Sequence, residues 1–219
     1  MGSTFIPSRC ALIDTLGSNV LIRGNMPLIG DDLHYAFDEI EAASKVDLSS
    51  RRLIEVPIID NVGERAQFEP LLRAFGVNPD NYPASFWPWW QQASYKPNQQ
   101  HGTALTTEGH EQPGGLIWRP FEGLPPDADP KEFLEYPGWD YVGFLENIVT
   151  LLDRCVDTAI YVHCQLGADR TGAFHIGYLM LQHCLTLEEA SKDANNSTSA
   201  GPPNADYQRL VAAYAASQP

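Results

Sequence analysis

The residues best suited to chemistry lie in one run, Ile160-Tyr161-Val162-His163-Cys164-Gln165-Leu166-Gly167-Ala168-Asp169-Arg170-Thr171-Gly172. It sets a thiol at the end of an apolar β-type stretch, follows it with a five-residue loop, and places a guanidinium where an apolar helix begins. Successive amides of such a loop, with the first amides of the helix, converge and form a cradle for an anion. Arg170 adds a planar fork of donors matched to phosphate oxygens. A positive setting of this kind favours thiolate over thiol, so Cys164 is the expected nucleophile for in-line attack on phosphorus. Gly167 allows the backbone to curl, and Gly172 allows the helix to start close to the strand. The expected phosphate-binding set is Gln165, Leu166, Gly167, Ala168, Asp169, Arg170 and Thr171.

The spacing alone is weak evidence. Four cysteines and ten arginines in 219 residues give about 0.2 chance matches to Cys-x5-Arg. The surroundings supply the specificity: a β-run before the cysteine, His163 beside it, Gly167 three positions on, and Thr171-Gly172 leading into a helix. None of the other cysteines has an arginine six positions on. The competing reading of Cys164 is a buried structural thiol beside an unrelated arginine.

This stretch resembles the phosphate-binding loop of the protein tyrosine and dual-specificity phosphatase superfamily, whose pattern is His-Cys, five residues, Arg, then Ser or Thr. The close match covers about ten residues, and a compatible order of strand, loop and helix extends over roughly 116–185. The resemblance implies a nucleophilic Cys164, a phosphate-binding Arg170, a Thr171 hydroxyl that helps the thiolate leave the phospho-enzyme, and a His163 that orients the loop. It also implies the fold class: α/β, a central mixed sheet flanked by helices, here with a long irregular insertion. No organic cofactor or metal is required by that chemistry.

Such a reaction needs an acid for the leaving oxygen and then a base for water. In many members of the superfamily this is an aspartate on a loop roughly 30–40 residues before the cysteine; Asp127 and Asp129 lie 37 and 35 positions before Cys164. Asp60, after Val56-Pro57-Ile58-Ile59, is a further candidate. The alternative is Asp169 inside the loop, since Cys-x-x-Gly-x-Asp-Arg-Thr is similar to loops of myotubularins and some bacterial phosphatases. Against that stands a capping or pairing role for the same side chain. The choice of acid stays open at this level. The loop has no Lys, and Arg170 is its one cation, which favours phosphotyrosine or another phosphoprotein monoester over a polyphosphorylated head group. Inositol phosphates or phosphoinositides are the second substrate class, and a catalytically weak phospho-binding module is the reading outside enzymes.

The elements that must position these residues are legible in outline. Residues 10–24 read as a hairpin around Gly17-Ser18-Asn19. A helix is expected from Asp31-Asp32 to about Ala43, and a strand from Leu53 to Ile59, with Pro57 marking an edge or an end. A short helix is expected over Phe68–Phe75. From about 78 to 115 periodicity disappears into a Trp- and Pro-rich segment, expected as an insertion within a single domain spanning 1–219. Leu116–Trp118 reads as a short strand, 139–154 as an amphipathic helix, and Ala159–Val162 as a buried strand. Thr171–Leu185 reads as a buried helix, with further helices from Thr186 and over 204–216.

The totals bound the partners. The net charge is −14, from 28 acidic and 14 basic residues, which argues against nucleic acid and against strong binding to anionic membranes. A phosphorylated protein or small phosphomonoester is the expected partner, bound through a local site on a monomer of acidic surface. Cys10, Cys155, Cys164 and Cys184 show no zinc spacing. His101 and His110, near Glu108 and Glu111, also lack ligand spacing, and His175 and His183 read as core histidines. With no signal peptide or spanning segment in the sequence, a cytoplasmic location is expected.

Overall fold

The computed structural model describes residues 5–30, 34–59, 69, 71, 102–105, 111–117, 127–134 and 140–218. The chain enters through a 3-10 turn at Pro7–Arg9 and forms a hairpin of β1 (Ala11–Leu16) and β2 (Asn19–Gly24). Gly17, at φ +61°, makes the tight turn between them; a left-handed conformation costs glycine nothing because it has no Cβ. The short strands β3 (Leu28–Ile29) and β4 (His34–Tyr35) pair with each other and lead into α1 (Phe37–Ser44). Strand β5 (Arg52–Pro57) follows, then β6 (Gly102–Leu105) and β7 (Glu111–Leu116). A second 3-10 turn, Pro130–Phe133, precedes α2 (Tyr141–Arg154), β8 (Thr158–His163), α3 (Asp169–His183), α4 (Leu187–Asn196) and α5 (Ala205–Ser217).

Among the described residues the strands form a six-stranded mixed sheet in the order β1-β2-β8-β5-β7-β6. β2, β8, β5 and β7 run parallel, and β1 and β6 pair antiparallel at the two edges. Every residue of β8 is buried, as its position between two parallel neighbours demands. Alternation along the strands sends Leu21, Ile54, Ile160 and Val162 into a core with α2 to α5. Val20, Ile22, Leu53, Ala159 and Tyr161 enter a second core with Phe37 and Ile40 of α1. The sheet is therefore covered by helices on both faces. Stacking of Phe144 on Phe174, with ring centroids 5.2 Å apart, locks α2 to α3 and so fixes the direction in which α3 leaves the loop.

Several boundaries differ from the sequence expectation. The first helix begins at Phe37 rather than at Asp31-Asp32, because residues 34–35 are taken up by pairing with β3. Of the two expectations for Pro57 the end holds: it is the last residue of β5, opposite His163, in a strand that is central rather than an edge. Within the segment expected to be irregular, 102–105 and 111–116 form strands that continue the sheet. Glu-Gln-Pro-Gly-Gly-Leu has no apolar alternation, so backbone pairing with β5 and β6 defines this strand. Pro113 lies outside the part of β7 that pairs with β5, which begins at Gly114, so its missing N–H interrupts no bond there. Residues 78–101 and 106–110, and the helix expected over 68–75 apart from Glu69 and Leu71, lie outside the described residues, as does Asp60. No helix among the described residues is long and apolar enough to cross a membrane, and the four cysteines are unpaired.

Candidate active site

The site is built at the carboxyl end of β8, between β2 and β5. His163 ends the strand, and residues 164–168 form a loop that feeds directly into α3. The Cys164 side chain is buried, and its Sγ accepts a hydrogen bond of 3.2 Å from the Gly167 amide. Gly167 sits at φ +68°, which curls the loop back over the sulfur. A Cβ at this position would lie 2.7 Å from the Gly24 carbonyl oxygen, so close approach and a positive φ both call for glycine.

What the carbonyls of the loop do decides what its amides can do. The Cys164 carbonyl accepts from His163 Nδ1 at 3.2 Å, and that of Gln165 from the Met26 amide at 3.3 Å. The Leu166 carbonyl accepts from Arg9 Nη1 at 2.6 Å, and that of Gly167 from Arg23 Nη2 at 2.7 Å. The Ala168 carbonyl accepts from the Gly172 amide at 2.7 Å, within α3. All five oxygens are thus drawn to partners around the loop, which turns the negative ends of its peptide dipoles away from the centre. The amide edges then face inward, joined by the positive end of α3.

The anchors of this loop reach deep into the fold. His163 Nε2 lies 2.6 Å from Glu55 Oε1, both groups fully buried, and the Tyr35 hydroxyl donates to Glu55 Oε2. The Tyr35 hydroxyl is held far above its usual pKa, first by burial and then by Glu55. A Tyr-Glu-His chain of contacts therefore runs from the α1 face of the sheet to the backbone of Cys164. The Ile58 amide donates to the His163 carbonyl at 2.7 Å, tying the end of β5 to the end of β8.

Arg170 stands in the first turn of α3. Its Nη1 donates to the Ile58 carbonyl at 3.3 Å, and its guanidinium lies near enough to the Tyr207 hydroxyl to act on that group's pKa. The Tyr207 pKa is pushed up to about 12 by burial; Arg170 lowers it, and Cys164 and Asp169 raise it. Tyr207 thus senses the cation, the thiol and the loop aspartate together. Thr171 is fully buried, and its Oγ1 accepts from the Cys164 amide at 2.8 Å, which leaves the hydroxyl proton for a second partner.

The aspartates occupy different positions. Asp169 Oδ1 accepts from the Asn204 amide at 2.7 Å, where Asn204 caps α5. Asp129 caps the Pro130–Phe133 turn, accepting from the Lys131 amide at 3.0 Å. Asp127 is exposed at the start of that loop. The loop is tied to α5 by Arg209 Nη2, which donates to the Ala128 carbonyl at 2.6 Å. Gln208 donates to the Pro203 carbonyl and braces the approach to α5. His175 is buried, as expected of a core histidine, whereas His183, expected in the core as well, is exposed at the last residue of α3, 2.9 Å from Asp14.

Sequence reasoning missed Arg9, Arg23, Glu55, Tyr35 and Tyr207. A signal existed for two of them: Arg23 and Glu55 are charges inside otherwise apolar strands, Val-Leu-Ile-Arg-Gly and Leu-Ile-Glu-Val-Pro. A charge in a central strand is buried, and a buried charge needs a partner.

The chain has the fold of the tyrosine and dual-specificity phosphatases, and its Cys-x5-Arg loop joins β8 to α3. Solved structures similar to it include a kinase-associated phosphatase with serine in place of its catalytic cysteine, at 13% identity, TM-score 0.50, covering 99% of this chain and 96% of that one. The human tyrosine phosphatase-like serine/threonine/tyrosine-interacting protein matches at 15% identity and TM-score 0.49, covering 94% and 96%. Human DUSP28 matches at 15% identity and TM-score 0.47, covering 98% and 97%. At these identities the likeness is one of fold. No protein-family model matches the chain, and no curated protein matches its sequence.

Proposed function

We propose that the protein is a phosphatase that hydrolyses phosphate monoesters through a phosphocysteine intermediate. The observation that carries this reading is the set of five carbonyls from Cys164 to Ala168, each held by a partner around the loop. A loop so constrained presents its amides to a tetrahedral anion without reorganising, the arrangement that stabilises charge in a transition state. In the first step Cys164 Sγ bonds to phosphorus while the ester P–O bond breaks, and an aspartate protonates the leaving oxygen. In the second, water attacks phosphorus, the same aspartate takes its proton, and the S–P bond breaks to restore the thiolate. Arg170 holds equatorial oxygens in both steps, and the Thr171 proton eases departure of sulfur.

The acid we propose is Asp127. Asp169 and Asp129 already accept backbone N–H groups, whereas Asp127 is exposed and its loop is fixed to the helix that carries Tyr207. The substrate proposed is phosphotyrosine or another phosphoprotein monoester. Leu166, 56% exposed, offers an apolar contact at the loop, and Gln165, Leu166 and Ala168 supply no cation for further phosphates.

Aryl-phosphate turnover by wild type, Cys164→Ser, Asp127→Asn, Asp129→Asn and Asp169→Asn tests these assignments. The serine variant should lose turnover and still bind vanadate-free phosphate analogues. Asp127→Asn should lose about 10²–10⁴-fold with a poor leaving group. Absence of turnover by wild type on phosphopeptides, inositol phosphates and aryl phosphates alike would reduce the protein to a phosphate-binding module. Faster turnover of phosphoinositides than of phosphopeptides would move the substrate to the second class.

A further inference from the structure

Arg23 is among the largest fully buried side chains of the described residues, with 1% of its surface exposed. It lies on β2 opposite Val162 of β8 and points to the face that carries α3. Burying a guanidinium is costly unless it is paired and hydrogen-bonded. The bonds it makes converge on the loop and its supports. Nη2 donates to the Gly167 carbonyl at 2.7 Å, and Nη1 lies 3.1 Å from His175 Nδ1 on α3 and 3.4 Å from the Ala194 carbonyl on α4. Since Arg has only donors, His175 Nδ1 accepts and its proton sits on Nε2, which faces Asp193 Oδ1 at 3.8 Å.

The charges around Arg23 are as informative as its bonds. Burial lowers its pKa to about 10, and the groups that act against this are Cys164 first, then Tyr161 and Cys10. None of them is a carboxylate. His175, the titratable group on α3, is itself held neutral, its pKa lowered to about 3 by burial and by Arg23. Arg23 is therefore a buried cation beneath the loop that carries Cys164. Arg170 carries the phosphate-facing role in the Cys-x5-Arg motif; Arg23 belongs to no part of that motif.

We propose that Arg23 is a positioning residue of the phosphate loop. It holds the Gly167 carbonyl outward, which keeps the Gly167 amide on Cys164 Sγ and turns the loop amides toward the anion. This rests on the phosphatase reading for its catalytic consequence, but its chemistry at the sulfur can be measured without turnover.

The test uses the full chain with Cys184→Ser, which removes the exposed thiol. The alkylation rate of Cys164 by iodoacetamide at pH 7 is followed by peptide mass, alongside kcat and KM on an aryl phosphate. Arg23→Met should slow alkylation about tenfold, the scale of losing the hydrogen bond that the Gly167 amide gives the sulfur. It should also lower kcat about a hundredfold, as a displaced loop would. Arg23→Lys should restore most of the alkylation rate but not kcat, because one ammonium cannot span Gly167 and His175 as the fork does. A folded Arg23→Met that alkylates and turns over like wild type overturns the proposal. If Arg23→Met does not fold, Arg23→Lys decides: kcat within twofold of wild type overturns it, and a tenfold loss with alkylation retained supports it. A wild type inactive on every monoester, yet with Arg23-dependent alkylation, refutes the phosphatase reading and leaves this one standing; an active wild type with Arg23-independent alkylation does the reverse.

Discussion

His175 should make the protein acid-sensitive in a defined window. The side chain is fully buried, with Nδ1 accepting from Arg23 and Nε2 facing Asp193. Burial, and then the charge of Arg23, lower its pKa from 6.5 to about 3. In the unfolded chain the same imidazole takes a proton near pH 6.5. The unfolded state therefore binds more protons than the folded state between these values. The stability contributed by neutral His175 is present in full above about pH 6.5 and is lost as pH falls towards 3. At pH 5 the gap of about 1.5 pH units corresponds to roughly 2 kcal/mol, a large fraction of ordinary domain stability. Replacing His175 by Gln retains an acceptor for Arg23 and removes the titration. Urea unfolding of wild type and His175→Gln at pH 7.5 and pH 5 isolates the effect, because other titrating groups are common to both proteins. Wild type should lose about 2 kcal/mol more than the variant. Equal losses, or a His175 ring proton titrating near pH 6.5 by NMR in the folded protein, would refute the reasoning.

Three further outcomes follow from the geometry. Gly167→Ala places a Cβ 2.7 Å from the Gly24 carbonyl at φ +68°, and should lower kcat on an aryl phosphate by about a hundredfold while leaving far-UV CD unchanged; wild-type turnover would contradict the loop geometry. Thr171→Val removes the acceptor for the buried Cys164 amide, an unsatisfied donor costing about 1–3 kcal/mol; a thermal melt should show it, and rapid mixing should show accumulation of phospho-enzyme if the hydroxyl aids departure of sulfur. Thr186→Ala breaks the reciprocal cap with Glu189 at the start of α4, and should cost about 1 kcal/mol, or about 2–4 °C in Tm for a chain of this size, with turnover unchanged; a loss of activity there would mean that α4 reaches the site more directly than its contact with Arg23.

Local chemistry made one part of the protein readable from sequence alone. The order strand, Cys164, loop, Arg170, helix depends on neighbours in the chain: β-branched and aromatic residues before the cysteine, a glycine where φ must turn positive, and a helix that starts at once. The hairpin around Gly17, α2 with its apolar stripe, and the Thr186 cap were legible for the same reason. Strand β7 was not, because Glu-Gln-Pro-Gly-Gly-Leu has no pattern of its own and takes its form from pairing with β5 and β6.

What the sequence could not reveal is how the loop is held. Arg9 and Arg23 bond to Leu166 and Gly167 across separations of 157 and 144 residues, and Glu55 meets His163 only because β5 lies beside β8 in register. The same holds for Asp169: in sequence it stands next to the phosphate-binding arginine, while in space its carboxylate accepts from the Asn204 amide that opens α5. Residue type and spacing announce which groups can react. Which carbonyls turn outward, and which charges are buried beneath them, are decided by contacts between strands and helices distant in the chain, because a buried charge or dipole is stabilised only by the partner that the fold brings to it.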